Sequence, residues 1–172
     1  MKRNVEIKAR VRDVEDFARR ASRLAGAGPE ILEQRDIFFT APRGRLKLRR
    51  QDAGRGELIF YERGDAQGPK TSGYTLVRTD DPDGLESALA GALGVRGEVR
   101  KTRRLYMAGR TRIHLDEVAD LGDFMELEVV LEDDEAEADG AAEARSLMAE
   151  LGVDEADLVA AAYMDLLERG AG

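Results

Sequence analysis

The sequence has no cysteine and no tryptophan, and aromatic residues make up 5% of its 172 residues. The lack of cysteine excludes disulfides, thiolate metal sites and thiol catalysis, so any chemistry must come from oxygen and nitrogen groups. It also suits a reducing cytoplasm, where we expect the protein to act. A signal peptide needs an apolar stretch of ~7 to 15 residues, and a membrane span needs ~18. The N-terminal residues MKRNVEIKAR contain no such signal-peptide stretch, and no apolar run in the sequence approaches the length of a membrane span. We therefore expect no membrane association.

Positive charge is also in deficit, because 27 lysines and arginines stand against 35 aspartates and glutamates and leave a net charge of −8. General binding to nucleic acid or to anionic membranes rests on a basic surface, so neither is expected. The average hides a pattern. Acids are dense over 132–139 (EDDEAEAD), whereas lysines and arginines concentrate in the central segments. The acidic run itself is typical of a solvated linker and helix start.

Alternation of apolar and charged residues predicts β-strands through most of the chain. In the first strand, over 3–11, Val5 and Ile7 share one face while Glu6 and Lys8 lie on the other. Seven more extended runs are bounded by turn chemistry: 31–39, 45–51, 57–63, 71–79, 98–107, 110–117 and 123–131. Helical spacing and caps predict four amphipathic helices, namely one after Asp13, one after Asp81, and two at about 137–151 and 154–168. A single α+β domain over 1–172 is expected, because a chain of this length buries roughly 68 to 70% of its unfolded surface.

The polar faces of these strands carry more charge than is usual for the exposed face of an antiparallel sheet. Basic groups come from five strands: Lys8, Arg10, Arg45, Lys47, Arg49, Arg63, Lys101, Arg103 and Arg112. Acids come from three strands: Glu6, Asp116, Glu126 and Glu128. Eight antiparallel strands can close into a barrel that holds one small ligand. If the charged faces point inward, the barrel is a tunnel with a basic lining beside an acidic cluster.

Such a lining suits a triphosphate, because arginine and lysine hold its oxygens and carboxylates hold the Mg²⁺ or Mn²⁺ that bridges them. Burying this many charges costs several kcal/mol per ion unless ligand, metal or water compensates, so the lumen must be wet or occupied. The helices would then cover the outward apolar faces. The alternative is a sheet whose charged faces meet solvent and form weak cross-strand salt bridges.

The order and spacing of these residues resemble the CYTH family, also called triphosphate tunnel enzymes, over nearly the whole chain. The motifs that carry the resemblance are Glu6-Ile7-Lys8, GRLKLR with Lys47 and Arg49, VRKTRR with Lys101 and Arg103, TRIHLDEV with Arg112 and Asp116, and GDFMELEVV with Glu126 and Glu128. ELIFYER and LGDFMELEVVL look closest to the bacterial group that is class IV adenylate cyclase-like. The resemblance implies an eight-stranded, closed antiparallel β-barrel with helices packed outside. Members of the family are often homodimers.

The resemblance also implies which residues hold the triphosphate and the metal. The implied phosphate-binding set is Lys8, Lys47, Arg49, Lys101, Arg103 and Arg112, and Arg10, Arg63 and Lys70 are added as candidates. The implied ligands of Mg²⁺ or Mn²⁺ are Glu6, Asp116, Glu126 and Glu128. Catalysis would be positioning plus electrostatics, because cations neutralise the charge that develops on the phosphoryl oxygens and no covalent nucleophile is required.

Asn4 departs from the pattern of the family. The opening signature of the family is ExExK, and asparagine stands here in place of the first glutamate. Its carbonyl oxygen can still bind a hard cation, but the site loses one negative charge. His114 lies between Arg112 and Asp116 on one strand face, where it fits a base, a metal ligand or, preferably, a hydrogen-bonded lining residue. Tyr74 fits a lining residue or a structural aromatic.

Two reactions fit the same lining. In a nucleotidyl cyclase the ribose 3′-hydroxyl attacks the α-phosphorus of ATP and gives cyclic AMP and pyrophosphate. In an organic or inorganic triphosphatase, of the thiamine triphosphatase or tripolyphosphatase type, water attacks the terminal phosphorus. The motifs favour the cyclase group as a family label, whereas the residues leave the two activities open. Asn4 motivates a third hypothesis, a non-catalytic module that binds nucleotide or polyphosphate.

Overall fold

The protein forms a closed β-barrel in a computed structural model that describes residues 2–51, 54–64 and 67–170. The strands are β1 Lys2–Arg10, β2 Glu30–Phe39, β3 Arg45–Arg50, β4 Gly56–Arg63, β5 Lys70–Thr79, β6 Val95–Ala108, β7 Thr111–Val118 and β8 Gly122–Val130. Neighbouring strands are antiparallel in the order β1-β5-β4-β3-β2-β6-β7-β8, and β1 pairs with β8 to close the ring. The predicted eight-stranded antiparallel barrel is therefore confirmed.

The strand register brings charged residues of neighbouring strands side by side. In the pairing of β1 with β8, Glu6 lies opposite Glu128 and Lys8 lies opposite Glu126. In the pairing of β7 with β8, Arg112 also lies opposite Glu128. Directly opposed residues of paired strands point to the same face of a sheet, so these side chains share the inside of the barrel.

The apolar faces of the strands point outward, and helices pack against β1, β2, β3, β6, β7 and β8. Among the described residues the α-helices are α1 Val14–Ala25, α2 Pro82–Leu93, α3 Glu137–Glu150 and α4 Tyr163–Gly170. Helices α1 and α3 pack on the main core, in which Ile7, Ile113 and Leu127 are fully buried. Burial of each such side chain stabilises the fold by about 1.5 to 3 kcal/mol. The barrel thus has a polar inside and an apolar outside, and none of these helices is long and apolar enough to cross a membrane.

The helix boundaries follow from capping residues that the sequence displays. The Asp13 carboxylate accepts a 2.9 Å hydrogen bond from the backbone N–H of Asp16, and Gly26 ends α1 in the left-handed region with φ of 69°. The Asp81 carboxylate likewise accepts a 2.9 Å bond from the N–H of Gly84 at the start of α2. These caps satisfy backbone groups that a helix end leaves unpaired, so both helices begin where predicted.

The C-terminal segment differs from the predicted single helix over 154–168. It forms a short 3₁₀ turn, then an extended stretch, and only then α4. The extended stretch pairs with β1, since Leu158 bridges Ala9 and the N–H of Val159 donates a 2.9 Å bond to the carbonyl of Lys8. These strand-like bonds use backbone groups that a helix would need for itself, so tertiary pairing overrides the local helical pattern.

Candidate active site in the barrel lumen

The lumen of the barrel is a cavity of about 800 Å³, a size typical of small-molecule sites. Inward side chains from all eight strands form its wall. Basic residues of the wall include Lys8, Lys47, Arg49, Arg63, Lys101, Arg103 and Arg112. Acidic residues of the wall include Glu6, Asp36, Glu57, Glu126 and Glu128. Side chains alternate between the two faces of each strand, so the apolar residues pack on the outside of the barrel and the charged residues point into the cavity.

Most of the predicted site residues lie in this wall. They are Asn4, Glu6, Lys8, Lys47, Arg49, Arg63, Tyr74, Lys101, Arg103, Arg112, His114, Glu126 and Glu128. The structure places three others elsewhere. Arg10 is exposed, and its guanidinium carbon lies 4.9 Å from the centre of the Phe124 ring, outside the lining. Lys70 and Asp116 are buried at one end of the barrel and do not line the cavity.

Asp36 is a wall residue that the sequence reasoning missed. It is 1% exposed, and its carboxylate accepts bonds of 2.8 Å from Lys47 Nζ, 2.8 Å and 2.9 Å from Arg49, and 3.3 Å from Lys101 Nζ. Burial opposes ionisation, but the charges of Arg49, Lys101 and Lys47 prevail and hold the pKa of Asp36 well below its usual value. The sequence signal was an acid directly before the apolar run Ile37-Phe38, since a carboxylate in such a place is usually buried and paired.

Two lysines of the wall hold their protons weakly. Burial lowers the pKa of Lys101 to about 7, against the attraction of Asp36. Burial also lowers the pKa of Lys8 to about 8, against the attraction of Glu126, whose carboxylate lies 3.6 Å away. A polyanion beside either ammonium group would favour the protonated form and raise the pKa again.

One end of the lumen is closed by the extended stretch that leads into α4. Two consecutive carbonyls of this stretch accept hydrogen bonds from lysines of the barrel: Ala161 from Lys8 Nζ at 3.2 Å, and Ala160 from Lys70 Nζ at 2.7 Å. The ring of Tyr163 follows, with its centre 4.2 Å from Lys8 Nζ. The lysine contacts explain how the stretch stays extended, because each ammonium group satisfies a backbone carbonyl.

Asp116 of β7 also anchors the closed end. Its carboxylate accepts a bidentate pair of bonds from Arg103, at 2.7 Å to Nε and 2.6 Å to Nη2. The hydroxyl of Tyr163 donates a further bond of 2.8 Å. Both oxygens of Asp116 already accept hydrogen bonds, so this carboxylate is less available to a metal than Glu6, Glu126 and Glu128.

Glu6, Glu126 and Glu128 crowd one side of the lumen. Burial, followed by repulsion from Glu128 and Glu126, raises the pKa of Glu6. His114 joins the group, and one ligating atom each from His114, Glu126 and Glu128 lies within 4.8 Å of the others. Burial, followed by the charge of Arg103, lowers the pKa of His114 and favours the neutral imidazole. Crowded carboxylates with a neutral imidazole fit a divalent cation, which would relieve the repulsion.

The wall also has an apolar part. Leu32 and Leu105 come from the paired strands β2 and β6, and Tyr74 and Leu76 come from β5. Leu76 is 40% exposed, and its neighbour Thr75 is an exposed lining residue as well, so this part of β5 marks the opening of the cavity. The lumen therefore offers apolar and aromatic surface in addition to its charged wall.

Comparison with known proteins agrees with this architecture. The sequence matches the CYTH domain over residues 2–163. It is 27% identical over 177 aligned residues to adenylate cyclase CyaB of Aeromonas hydrophila, which covers 96% of this chain and 88% of that protein. Among solved structures, PH1012 of Pyrococcus horikoshii OT3 has a TM-score of 0.84 at 25% identity and covers 95% of this chain and 98% of that one. A candidate adenylate cyclase of Vibrio parahaemolyticus has a TM-score of 0.76 at 20% identity, with 96% and 97% covered. Because the match spans nearly the whole sequence, this chain belongs to the CYTH domain family.

Proposed function

We propose that this protein is a metal-dependent enzyme that converts ATP to cyclic AMP and pyrophosphate. The observation that carries the proposal is the ligand-sized cavity in which lysines and arginines surround a cluster of glutamates. Few ligands other than a metal-bound triphosphate present both many anionic oxygens and a cation. The relative from Aeromonas hydrophila, an adenylate cyclase by name, supports this reaction over others on the same fold.

The basic wall keeps an excess of positive charge after its internal ion pairs are counted. Lys47, Arg49 and Lys101 all bond to the single carboxylate of Asp36, so this group has two positive charges in excess when every member is ionised. Charges fixed by internal bonds need little reorganisation when an anion arrives. The wall is therefore suited to hold phosphate oxygens and to stabilise the charge that develops on leaving pyrophosphate.

The apolar part of the wall favours a triphosphate that carries an organic group. Leu32, Leu105 and the aromatic Tyr74 face the same cavity as the charged residues. A free polyphosphate chain gains nothing from apolar surface, whereas a nucleoside buries part of its base and ribose against it. This contrast supports ATP over inorganic tripolyphosphate as the substrate.

The proposed step forms one bond and breaks one. The ribose 3′-oxygen bonds to the α-phosphorus, the bond from that phosphorus to the bridging oxygen of pyrophosphate breaks, and the hydroxyl proton is released. A divalent cation held by Glu6, Glu126 and Glu128 would neutralise phosphate oxygens during this step. The basic side chains hold the chain of phosphates in line for attack, and no protein nucleophile is needed.

Product analysis tests the reaction. The purified protein is incubated with ATP, thiamine triphosphate or tripolyphosphate in the presence of Mg²⁺ or Mn²⁺, and the products are separated. Cyclic AMP with pyrophosphate is the expected result for ATP. Release of orthophosphate without a cyclic product would replace the cyclase with a triphosphatase. Binding without turnover would leave a nucleotide or polyphosphate sensor.

A matched pair of variants tests whether the lumen is the site. Arg49 and Arg50 are adjacent on β3 and point to opposite faces, and each is paired with acid: Arg49 with Asp36 inside, Arg50 with Glu86 outside. Arg49→Ala is expected to lower kcat by at least about 100-fold, and Arg50→Ala is expected to retain activity. Equal losses in the two variants would contradict a site in the lumen.

A further inference from the structure

His114 has a buried nitrogen that no group among the described residues satisfies. It is the only histidine of the sequence, and it is 3% exposed in the wall of the lumen. Within the described part of the chain, its Nδ1 has no hydrogen-bond partner. The nearest carboxylate oxygens, one on Glu126 and one on Glu128, each lie 3.9 Å away, beyond hydrogen-bond distance. A buried polar atom without a partner requires an explanation in a native protein.

The surrounding cations hold the two glutamates so that they face this nitrogen. Arg112 Nε donates a 2.9 Å bond to Glu128 Oε2, which leaves Oε1 as the oxygen turned toward His114. On Glu126, Arg103 lies 3.3 Å from the oxygen that faces the imidazole. The three side chains are thus fixed with their donor atoms converging on one small volume.

We infer that His114 Nδ1 is a direct nitrogen ligand of the divalent cation, together with Glu126 and Glu128, and that it makes the site prefer Mn²⁺ to Mg²⁺. The inference rests on the proposed function in that it requires a cation in the lumen. It goes beyond that function by naming a ligand that is not a carboxylate. Ligand atoms lie about 2.1 Å from ions of this kind, so one ion can span a separation of 3.9 Å between two of them.

The ligand types decide which ion is preferred. Mg²⁺ takes oxygen ligands almost exclusively and dehydrates reluctantly, whereas first-row transition ions accept imidazole nitrogen as well. Mn²⁺ is the ion of that series that shares the preference of Mg²⁺ for carboxylate, carbonyl and water oxygens. A set that adds one imidazole to carboxylates therefore favours Mn²⁺, while a set of carboxylates alone would discriminate little between the two ions.

Pulsed electron paramagnetic resonance of Mn²⁺ bound to the full chain tests the assignment directly, because a coordinated ¹⁴N nucleus modulates the electron spin echo. Since the chain has one histidine, growth with ¹⁵N-histidine labels this side chain alone. The expected result is a ¹⁴N modulation that gives way to a ¹⁵N coupling in the labelled protein. Bound Mn²⁺ with no nitrogen coupling would overturn the assignment and leave the proposed function untouched.

Calorimetry of metal binding gives a second readout. His114→Gln is expected to weaken Mn²⁺ binding at least about tenfold and to change Mg²⁺ binding much less. His114→Phe is expected to have the same effect as His114→Gln on the binding of both ions. The control is Thr102→Val, which removes an exposed hydroxyl on the outside of β6. Equal weakening of both ions by His114→Gln would overturn the preference. A wild-type chain that forms cyclic AMP yet binds no Mn²⁺ would overturn the inference while sparing the cyclase.

Discussion

Asp36 accepts two hydrogen bonds from Arg49, at 2.8 Å from Nε and 2.9 Å from Nη2, across the pairing of β2 with β3. A carboxylate thus lies in the middle of a wall that we propose to hold a polyanion. Asp36 holds the basic side chains together, because Lys47 and Lys101 also bond to this carboxylate. Without it, the two lysines would repel each other and Arg49. The basic wall is therefore fixed by a protein charge before any anion binds.

Replacement of Asp36 by asparagine is predicted to destabilise the fold. Asp36→Asn keeps the shape of the side chain but leaves the buried Lys101 and the partly buried Lys47 and Arg49 without this counter-charge. Breaking a buried charge cluster in this way costs about 3 to 5 kcal/mol of unfolding free energy, which urea denaturation measures. Tripolyphosphate should restore part of the loss, since it supplies negative charge to the same cations.

The control for this substitution is Glu33→Gln on the same strand. Glu33 is exposed and accepts a 3.1 Å bond from Thr102 on the outside of the barrel. Its replacement should change the unfolding free energy by no more than about 0.5 kcal/mol. An Asp36→Asn protein as stable as the Glu33→Gln protein would show that the cations do not depend on Asp36.

The barrel was predictable because its period-2 pattern recurs in every strand. The same pattern gave the face of each site residue, since opposed residues such as Lys8 and Glu126 share the inside. The pattern could not predict how far along the barrel axis each side chain lies. Arg10 has the inward parity of Lys8, yet it lies opposite Phe124 near the end of β1 and is exposed. Parity fixes a face, whereas the position of the closed end depends on contacts between distant segments.

The closed end could not be read from local sequence. A helical pattern over 154–168 competes there with strand-like pairing to β1 and with hydrogen bonds from Lys8 and Lys70 to backbone carbonyls. Those lysines are about 90 to 150 residues away in sequence, so no local window contains both partners. Asp36 was missed for a related reason, because its role in the site depends on hydrogen bonds from three cations on two other strands.

Two glycines in helices should respond oppositely to alanine. A Cβ at Gly140 in α3 would meet Leu131 at 2.5 Å and Val5 at 3.0 Å, so Gly140→Ala is predicted to destabilise by about 1 to 3 kcal/mol. A Cβ at Gly91 in α2 would meet nothing within 4 Å, so Gly91→Ala should stabilise by about 0.5 to 1 kcal/mol. Thermal unfolding of the two variants measures both signs. A stabilising Gly140→Ala would contradict the close packing of α3 on β1.

Tyr163 should stabilise the closed end mainly through its ring. The ring packs edge-on against Phe124 at 5.1 Å and lies beneath Lys8, while the hydroxyl donates one bond to Asp116. Tyr163→Phe removes that bond and is predicted to cost about 1.5 kcal/mol. Tyr163→Ala also leaves a cavity and is predicted to cost about 3 to 5 kcal/mol. Urea unfolding distinguishes them, and equal costs would assign the effect to the hydroxyl alone.

The lowered pKa of Lys101 predicts that anion binding is coupled to proton uptake. Its pKa of about 7 lies below the usual value of 10.5 because of burial, so at pH 8 only about a tenth of the protein carries this proton. A triphosphate in the lumen favours the charged ammonium group and raises its pKa. At pH 8 binding must then draw a proton from the buffer, whereas at pH 6 the proton is already present and uptake at Lys101 should vanish.

Calorimetric titration with tripolyphosphate in buffers of different ionisation enthalpy measures this uptake. Titration of the tripolyphosphate itself is common to all variants, so the difference between wild type and Lys101→Arg isolates the lysine. Arginine stays protonated throughout, and the variant should take up nearly one proton fewer at pH 8 and the same number at pH 6. Lys8, with its pKa of about 8, adds a smaller uptake that remains in the variant. Identical proton uptake in both proteins at pH 8 would mean that Lys101 does not meet the anion, and the basic wall would have to bind it through Arg49 and Arg112 instead.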